Sequence, residues 1–330
     1  MKLASAIKRC LKRSNGENNG WATKKDIRSL LTVPESGGVV IGGFDGKPII
    51  YGGDNHVVAM ACYRPVGIHG GKIHGLLIPA LISYKGSVVV HDVGGMLYEA
   101  TANHRIKLGQ KVIRLAPSDD LSDFDLSELQ NGDTPVTLYL IADGTRQVSL
   151  MHQELLASII KNGLSATIRY RDGHIVQHYR HKLLLLLDNY DRFDGGVPGL
   201  DDAIPFMAGY GIQTFVIVQN SAQMQSIGKI VANSHIRVFV SPDYGDLETA
   251  EYISKMLGDV IDANGNRKPL LQPDEVLRIG PGPTYRRPDG STFVFYGFAC
   301  LTLRQGNAPI YGTLVPLLML KSMAGRDMPS

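Results

Sequence analysis

The sequence predicts an α/β fold, built on a mostly parallel, twisted sheet with helices on both faces. From about residue 56, short β-branched runs alternate with helical patterns, which is typical of βαβ units. The runs are apolar at consecutive positions, as in strands that are covered on both faces. With 44% hydrophobic and 20% charged residues, the 330-residue chain has the composition of an ordinary globular protein, which excludes disordered and fibrous classes.

Strands and helices can be placed along the chain in order. One helical pattern, KIHGLLIPALIS, follows a glycine-rich loop, and another, GTRQVSLMHQELLASIIKNG, ends at Gly163. The acidic, serine-rich segment 116–133 predicts a connector, and 280–291 predicts a loop rich in proline and glycine. The predicted strands are HVVAMACY (56–63), SVVVHD (87–92), KVIRL (111–115), PVTLYLIA (135–142), KLLLLLDNY (182–190), QTFVIVQN (213–220) and IRVFVSP (236–242).

The first residues are basic but predict neither a membrane span nor a secretory signal. The formal net charge is +3, with a local cluster of lysine and arginine in MKLASAIKRCLKRS. This stretch lacks the apolar region of a signal peptide, and the longest apolar runs fall far short of the roughly 20 residues that a span needs. Leu3, Ile7 and Leu11 have helical spacing, which leaves two alternatives: an amphipathic helix on an anionic membrane, or a solvated helix.

The cysteines indicate the redox state of the cellular compartment, and the histidines are the candidates for metal binding. Cys10, Cys62 and Cys300 leave an odd thiol and form no C-x-x-C pair, which favours a reducing cytoplasm. The three histidines of HIVQHYRH (174–181) have a spacing that a metal can use, but no carboxylate or cysteine stands beside them. A metal site and a polar loop both remain open for this stretch.

The stretch RPVGIHGGKIHG (64–75) is close to a phosphate-binding loop. The Walker A pattern requires a Gly, four free positions, Gly-Lys and a Ser or Thr; here Val66 replaces the first glycine and Ile73 the hydroxyl residue. The loop follows a strand and begins a helix, so its N–H groups would point at a phosphate, which Lys72 could also reach. A structural glycine turn is the alternative. The candidate ATP-binding residues are Gly67, Gly70, Gly71, Lys72 and Ile73.

Two later strands end in polar residues that suit ATP chemistry. LLLLLDNYDRFDG predicts a Walker B strand, whose terminal Asp188 would hold Mg²⁺ through water. In ATPases of this type the next residue is usually a glutamate base, whereas Asn189 can bind a water but cannot take its proton. FVIVQN ends in Gln219, which could sense the γ-phosphate or the water. Asp188, Asn189 and Gln219 are therefore candidate catalytic residues, and core strands with polar ends are the alternative.

These motifs lie in collinear blocks that resemble the VirD4/TraG family of type IV secretion coupling proteins, the inner-membrane P-loop ATPases of conjugation. The resemblance extends from about residue 20 to the C-terminus. Its blocks are GWATKKDIRSLL, GGKIHGLLIPALISYKGSVVVHDVGGMLYEATANHRIKLGQKVIRLAP, KLLLLLDNYDRFDGGVPGLDDAIPFMAGYGIQTFVIVQNSAQM, IVANSHIRVFVSPDYGDLETAEYISKMLG and KPLLQPDEVLR.

The resemblance implies a RecA-like P-loop NTPase core, with ATP and Mg²⁺ as cofactors, that assembles as a hexamer. Such a protein moves single-stranded DNA with its relaxase, or protein effectors, to the type IV secretion channel, in the cytoplasm or at the cytoplasmic face of a bacterial inner membrane. Residues 1–35 would be a basic segment before the domain, and 36–330 the nucleotide-binding domain. Family members carry N-terminal transmembrane helices and an all-α domain inserted near 116–134, and we expect neither in this chain.

The chain departs from the family at positions that carry chemistry. The family loop Pro-Thr-Arg-Ser-Gly-Lys is replaced by GIHGGK (67–72), and Ile73 stands where relatives have Gly, Ser or Thr. Loss of the hydroxyl weakens Mg²⁺ binding, and loss of the glutamate base removes a factor of order 10² to 10⁴ in rate. The leading hypothesis is an ATP-binding domain with impaired hydrolysis. The alternative is a catalytically inactive relative that acts as a binding or assembly module.

Three arginines are candidates for contacts with DNA or with a neighbouring subunit. Arg286 and Arg287 could bind a phosphate backbone while Tyr285 stacks on a base, or all three could belong to a solvated loop. Arg237, on a late strand, could approach a neighbour's nucleotide as an arginine finger does. A salt bridge at a sheet edge is the alternative for Arg237.

Overall fold

The computed structural model of the protein describes most of the chain from residue 20 to residue 315. Within this span, the described ranges are 20–31, 37–45, 47–61, 71–119, 124–165, 169–171, 174–176, 178–240, 242–243, 245–262, 264–278, 284–286, 292–294, 299–304 and 306–315. Along these ranges, no helix combines the length and the apolar composition that crossing a bilayer requires.

Eleven of the described strands form one sheet, and its larger part is parallel. The parallel strands, in spatial order, are β11, β3, β10, β9, β4, β6 and β5. Their crossover connections place helices on the faces of the sheet. Their bounds are β3 (His56–Met60), β4 (Ser87–Val93), β5 (Lys111–Leu115), β6 (Val136–Ala142), β9 (Leu183–Leu187), β10 (Ile212–Val218) and β11 (Ser234–Val240).

An antiparallel part continues the same sheet beyond β11. Its strands are β1 (Val39–Phe44), β2 (Lys47–Tyr51), β16 (Ala299–Arg304) and β17 (Ile310–Thr313), in the spatial order β16, β17, β1, β2. Three small hairpins lie outside the sheet: β7 (Arg169–Arg171) with β8 (His174–Val176), β12 (Asp259–Ile261) with β13 (Arg267–Pro269), and β14 (Thr284–Arg286) with β15 (Thr292–Val294).

Helices cover both faces of the sheet. A π-helical turn (Ile73–Leu77) leads into α1 (Ile78–Ser83), and these pack with α2 (Met96–Lys107) on one face. The remaining described α-helices contribute buried residues to the core on the other face. They are α3 (Glu128–Asn131), α4 (Arg146–Gly163), α5 (Leu200–Ala203), α6 (Ser221–Ser226), α7 (Gly228–Asn233), α8 (Leu247–Leu257) and α9 (Pro273–Leu277).

The sheet separates two apolar cores. Along β9, Leu183, Leu185 and Leu187 enter one core, while Leu184 and Leu186 enter the other. Because successive side chains of a strand point to opposite faces, a strand buried on both faces must be apolar at every position. The prediction of a mostly parallel sheet with helices on both faces is therefore confirmed. The leucine run forms an inner strand of this sheet.

Some sequence predictions need correction in detail. The strand predicted over 182–190 ends at Leu187, so Asp188 and Asn189 lie just beyond it. The predicted connector contains the short helix α3, and the predicted proline- and glycine-rich loop contains β14. Among the described residues, no group of three His, Cys, Asp or Glu side chains is placed to hold a metal ion. His181 instead bonds the carbonyl oxygen of Gly132.

Candidate functional site

The predicted site residues converge at the carboxyl ends of three neighbouring strands. β10 pairs with β3 on one side and with β9 on the other, in parallel. The segment after β3 that carries Lys72, the residues Asp188 and Asn189 after β9, and Gln219 after β10 therefore emerge at the same edge of the sheet. Ligands in open α/β sheets bind at this edge.

Lys72 lies at the centre of the cluster, with 5% of its surface exposed. Its Nζ donates one hydrogen bond to Oδ1 of Asp188 and a second to Oδ1 of Asn189, both at 2.7 Å. The residue is helical, and the π-helical turn Ile73–Leu77 follows it directly. Single π turns inside helices are frequent at functional sites. The ammonium thus enters the site from a helix start and is bound there by the Asp188–Asn189 pair.

Asn189 is held by backbone geometry as well as by hydrogen bonds. Its φ of 52° lies in the left-handed region, which asparagine tolerates better than most residues. Its Nδ2 donates to Oδ2 of Asp188 at 3.2 Å, and its Oδ1 also accepts a bond of 3.3 Å from Nε2 of Gln219. The four side chains Lys72, Asp188, Asn189 and Gln219 form one connected network, which we call the lysine network.

The other predicted ATP-binding residues are placed differently. Gly71 begins the helical segment just before Lys72. Ile73 is 6% exposed and packs in an apolar core, so its side chain offers nothing to a phosphate or a metal. Gly67 and Gly70 lie outside the described residues. What the described part of the loop offers a phosphate is therefore the Lys72 ammonium and the N-terminal end of the helix.

Two residues that sequence reasoning did not assign also belong to this edge. Nδ1 of the buried His91 donates to the carbonyl oxygen of Asp188 at 2.7 Å, and burial lowers the pKa of His91, which keeps its ring neutral. Asp92 accepts hydrogen bonds from the amides of Leu97 and Tyr98, yet burial raises the pKa of its carboxyl group. The polar pair that ends SVVVHD, next to the strand of Asp188, is the signal that could have identified them.

Of the three arginines predicted to contact DNA or a neighbouring subunit, the structure describes the side chain of Arg237, which lies outside the lysine network. Arg237 lies within β11, which is paired on both sides, and its side chain donates to the carbonyl oxygen of Val231 at 3.3 Å. The alternative of a sheet-edge salt bridge is wrong, because β11 is an inner strand. Arg286 lies on β14 of a hairpin outside the main sheet, and Arg287 lies outside the described residues.

The chemistry of the lysine network suits a nucleotide triphosphate and, in part, a magnesium ion. A phosphate oxygen can replace the Asp188 carboxylate as the partner of Lys72, because both are anionic acceptors. The released carboxylate is a ligand type that Mg²⁺ prefers. The hydroxyl that usually completes the shell is missing, since Ile73 is apolar and buried. The donor set therefore fits the nucleotide better than it fits the metal.

Comparisons with known proteins identify the family of the chain. The family described as "Type IV secretory system Conjugative DNA transfer" matches residues 16–121 and 120–261. A conjugal transfer protein TraG of Escherichia coli is 30% identical over 200 residues, which are 52% of this chain and 31% of that protein. The chain thus spans about a third of the length of this relative.

Solved structures of the plasmid coupling protein TrwB share the fold. The complex of TrwB with the non-hydrolysable GTP analogue GDPNP has a TM-score of 0.61 at 11% identity, covering 90% of this chain and 93% of that chain. The complex with ADP and Mg²⁺ has a TM-score of 0.58 at 12% identity, covering 89% and 92%. The chain therefore shares the overall α/β fold of these structures.

Proposed function

Because the chain belongs to the type IV secretory system conjugative DNA transfer family, we propose that it binds ATP with Mg²⁺ at the lysine network. This binding serves the transfer of single-stranded DNA with its relaxase, or of protein effectors, through a type IV secretion channel. The family match over residues 16–261 and the nucleotide complexes of TrwB support this proposal. The function places the domain at the cytoplasmic face of a bacterial inner membrane, as one subunit of a hexameric ring.

The single observation that carries the proposal is the buried contact between Lys72 and Asp188. A buried lysine and aspartate are costly to desolvate, so the pair is weak evidence for a role in stability alone. In this proposal Lys72 is the P-loop lysine and Asp188 the Walker B aspartate, the two residues that meet the β and γ phosphates and the metal in such sites. A triphosphate can therefore exchange with the carboxylate for the ammonium.

Hydrolysis at this site is proposed to be impaired. The side chain of Asn189 occupies the position of the base but cannot accept a proton from water. Ile73 lacks the hydroxyl ligand and is directed into the apolar core. Each change lowers turnover while leaving the lysine and the aspartate in place, so binding is expected to persist where hydrolysis is slow or absent.

The same two residues favour a second candidate function. A relative that has lost turnover entirely could still bind nucleotide or partner subunits and act as an assembly module of the secretion system. Both candidates use the same fold and the same lysine network. They differ in one measurable property, which is the turnover of ATP.

Calorimetric titration of the full chain with ATP, with and without Mg²⁺, tests the proposal. We expect binding that Mg²⁺ strengthens little, and binding that falls at least tenfold in Lys72→Gln, because charge-assisted bonds to phosphate are lost. Lys229→Gln is the matched control, since Lys229 forms an exposed ion pair with Asp202 and is not a member of the lysine network. Circular dichroism establishes that each variant is folded.

Three outcomes distinguish the candidates. ATP turnover that disappears in Lys72→Gln but persists in Lys229→Gln would exclude the inactive module. ATP binding without turnover would exclude the enzyme. A folded chain that binds no ATP at millimolar concentration would overturn the proposal in both forms.

A further inference from the structure

A cavity of about 340 Å³ opens at the opposite edge of the sheet from the lysine network. We call it the amino-edge cavity, and the residues that matter in its wall are Asp54, Tyr84, Arg180, His181 and Lys182. β4 and β9 begin just after its wall residues, and β10 contributes Gln213 to it. Since the same strands end at the lysine network, one strand length of roughly 15 to 25 Å separates the two places.

The wall of the amino-edge cavity carries more positive than negative charge. Arg180 and Lys182 lie beside His181, and Asp54 is the acidic residue in the wall. Lys182 contacts Asp54, and Arg180 pairs with Asp133, whose side chain is 99% exposed. The Arg180–Asp133 pair is strongly exposed and the Lys182–Asp54 pair is about half-buried. Because exposed ion pairs contribute little to stability, Arg180 above all can exchange its carboxylate for another anion at small cost.

The hydroxyl group of Tyr84 is a hydrogen-bond donor without an acceptor in the described structure. Tyr84 is 6% exposed, and its buried Oη has no hydrogen-bond partner among the described residues. Burial, with the nearby Asp54 carboxylate, raises the pKa of Tyr84, so the group keeps its proton at neutral pH. A buried hydroxyl without a partner is unfavourable. Because Tyr84 lines the cavity, a small shift of its ring toward an acceptor bound there would remove that cost.

Glycines in the cavity wall allow the backbone to pack closely against neighbouring residues. A Cβ on Gly86 would lie 2.5 Å from the carbonyl oxygen of Lys182, and one on Gly53 would lie 2.5 Å from Oη of Tyr51. No other residue fits at these positions without displacing backbone or an aromatic side chain. This part of the wall is therefore formed by closely packed backbone, whereas Arg180 and Lys182 line the cavity with long side chains.

We propose that the amino-edge cavity binds the phosphoryl group of a small phosphorylated molecule. Arg180 and Lys182 neutralise its charge, and Tyr84 donates a hydrogen bond to one of its oxygens. Phosphate is the anion that matches paired cations with an additional hydroxyl donor, and the volume lies in the range of small-molecule sites. The site is independent of the proposed ATP site, because it uses none of the residues of the lysine network.

Calorimetric titration of the full chain with inorganic phosphate and with ribose 5-phosphate, at constant ionic strength, tests the site. The wild-type chain and Lys72→Gln are titrated in parallel, so that phosphate bound at the lysine network is recognised. We expect phosphate to bind in both. Arg180→Ala and Lys182→Ala should each weaken it about tenfold, and Tyr84→Phe about fivefold to tenfold. Lys229→Ala is the matched control and should change nothing.

A variant with higher affinity for phosphate distinguishes a ligand-binding role of Arg180 from a purely structural one. Asp133→Asn removes the present partner of Arg180, so phosphate should bind about twofold to fivefold more tightly. Tighter binding of ribose 5-phosphate than of phosphate identifies an ester as the ligand, and equal binding identifies the phosphoryl group alone. The proposal is overturned if neither compound binds, or if binding is the same in Arg180→Ala, Lys182→Ala and Tyr84→Phe.

Discussion

Asn189 lies where we propose that a catalytic base has been lost. Its carboxamide oxygen accepts hydrogen bonds from both Lys72 and Gln219, as a carboxylate oxygen would. Its nitrogen donates to Asp188, which a carboxylate could not do. The residue therefore holds the network together while it removes the proton acceptor, and a single substitution can separate these two effects.

Asn189→Glu is expected to raise ATP turnover by at least tenfold. A glutamate can accept the same hydrogen bonds from Lys72 and Gln219 and can also take a proton from water. General bases typically raise reaction rates by factors of order 10² to 10⁴. Release of phosphate under saturating ATP and Mg²⁺ measures the effect. Asn189→Gln is the control, because it adds the same length without a base. Equal turnover in both variants would contradict the prediction.

His152 is a buried histidine with no polar contact. It is fully buried, and neither ring nitrogen has a hydrogen-bond partner among the described residues. It lies edge to face with His91, with ring centroids 5.6 Å apart. Burial lowers the pKa of His152 to about 4, from the usual 6.5, and the neighbouring His91 adds to this.

His152→Leu is expected to flatten the dependence of stability on pH. Between about pH 6.5 and pH 4 the unfolded chain binds a proton at residue 152 and the folded chain does not, so acid lowers the free energy of unfolding. Removing this group should reduce the slope by up to about 1.4 kcal/mol per pH unit. Urea unfolding of both chains from pH 7 to pH 4.5 measures the slopes. Parallel slopes would show that His152 does not titrate as described.

The sequence predicts the members of the lysine network but not how they meet. Lys72 is identified by the Gly-Lys pair of the Walker A-like loop. Asp188, Asn189 and Gln219 are identified because they follow apolar runs, and parallel strands bring such residues to one edge. The left-handed backbone of Asn189 and the burial of Ile73 depend on packing between distant segments, which one sequence does not reveal. His91 was missed because a histidine at a strand end has many structural explanations.

Arg105 on α2 caps the C-terminal end of α1. Its fully buried guanidinium group donates to the carbonyl oxygens of Leu81, Tyr84 and Gly86, and to the hydroxyl of Thr137 on β6. The carbonyl groups at a helix C-terminus lack partners within the helix, and a cation there is favoured by the helix dipole. Burial lowers the pKa of Arg105 to about 10, so it remains charged at neutral pH.

Arg105→Met is expected to lower the free energy of unfolding by about 3 kcal/mol or more. Methionine fills a similar volume, but it leaves buried carbonyl groups without a donor, each at a cost of about 1 to 3 kcal/mol. Arg278→Met is the control, since Arg278 forms an exposed pair with Asp274 and its loss should cost less than about 1 kcal/mol. Urea unfolding measures both. A cost of Arg105→Met no larger than the control would contradict the capping role.

The π-helical turn after Lys72 is fixed by a close contact with the C-terminal strand region. The amide of Val315 donates to the carbonyl oxygen of Gly75 at 3.0 Å. A Cβ on Gly75 would lie 2.7 Å from Cβ of Leu314, closer than carbon atoms approach without displacement. The turn that positions Lys72 is therefore held from outside the helix.

Gly75→Ala is expected to lower the free energy of unfolding by about 1 to 3 kcal/mol, the usual range for overpacking in a core. It should also weaken ATP binding, because displacing the turn moves Lys72. Gly228→Ala is the matched control: Gly228 begins α7, and a Cβ there would meet nothing within 4 Å. Thermal unfolding and ATP titration measure the two effects. A stable Gly75→Ala chain with unchanged affinity would show that the contact is not needed.

The sequence predicts the helices and strands that show an apolar pattern within one stretch of chain. It does not predict the strands whose formation depends on pairing with distant segments. The parallel strands and α4 follow from apolar runs and helical spacing along one stretch of chain. β1 was not predicted, because it contains two glycines that weaken any strand pattern. β16 and β17 pair with each other as neighbours along the chain, and the sequence after residue 291 shows a hairpin-like pair of runs. Their other partners, β11 and β1, lie far away in sequence, so their place in the main sheet was not predicted.

Both cores share one sheet, so the described domain should unfold as a unit. Trp21, the single tryptophan, is 9% exposed and stacks edge to face on Tyr311, with ring centroids 5.3 Å apart. The amide of Ala22 donates to the carbonyl oxygen of Pro309. The segment before β1 is thus packed against the C-terminal strand region, although the sequence led us to place it before the nucleotide-binding domain.

Tryptophan fluorescence and far-ultraviolet circular dichroism are expected to report the same unfolding midpoint in urea. Fluorescence follows the docking of Trp21, whereas dichroism follows the helices and strands of the whole chain, and coincident transitions are the mark of cooperative unfolding. Trp21→Phe provides the fluorescence blank. An earlier fluorescence transition would show that the segment around Trp21 detaches first and would support a domain boundary near residue 35.

The pairing of Gly43 with Thr313 joins residues about 270 positions apart. During synthesis at roughly 5 to 20 residues per second, β1 emerges from the ribosome tens of seconds before the strand that will pair with it. In that interval β1 and the outer side of β11 expose unpaired backbone groups, which invite association with other chains. The order of strands in the sheet therefore leaves one side of β1 and one side of β11 open to association with other chains until β16 and β17 have been made.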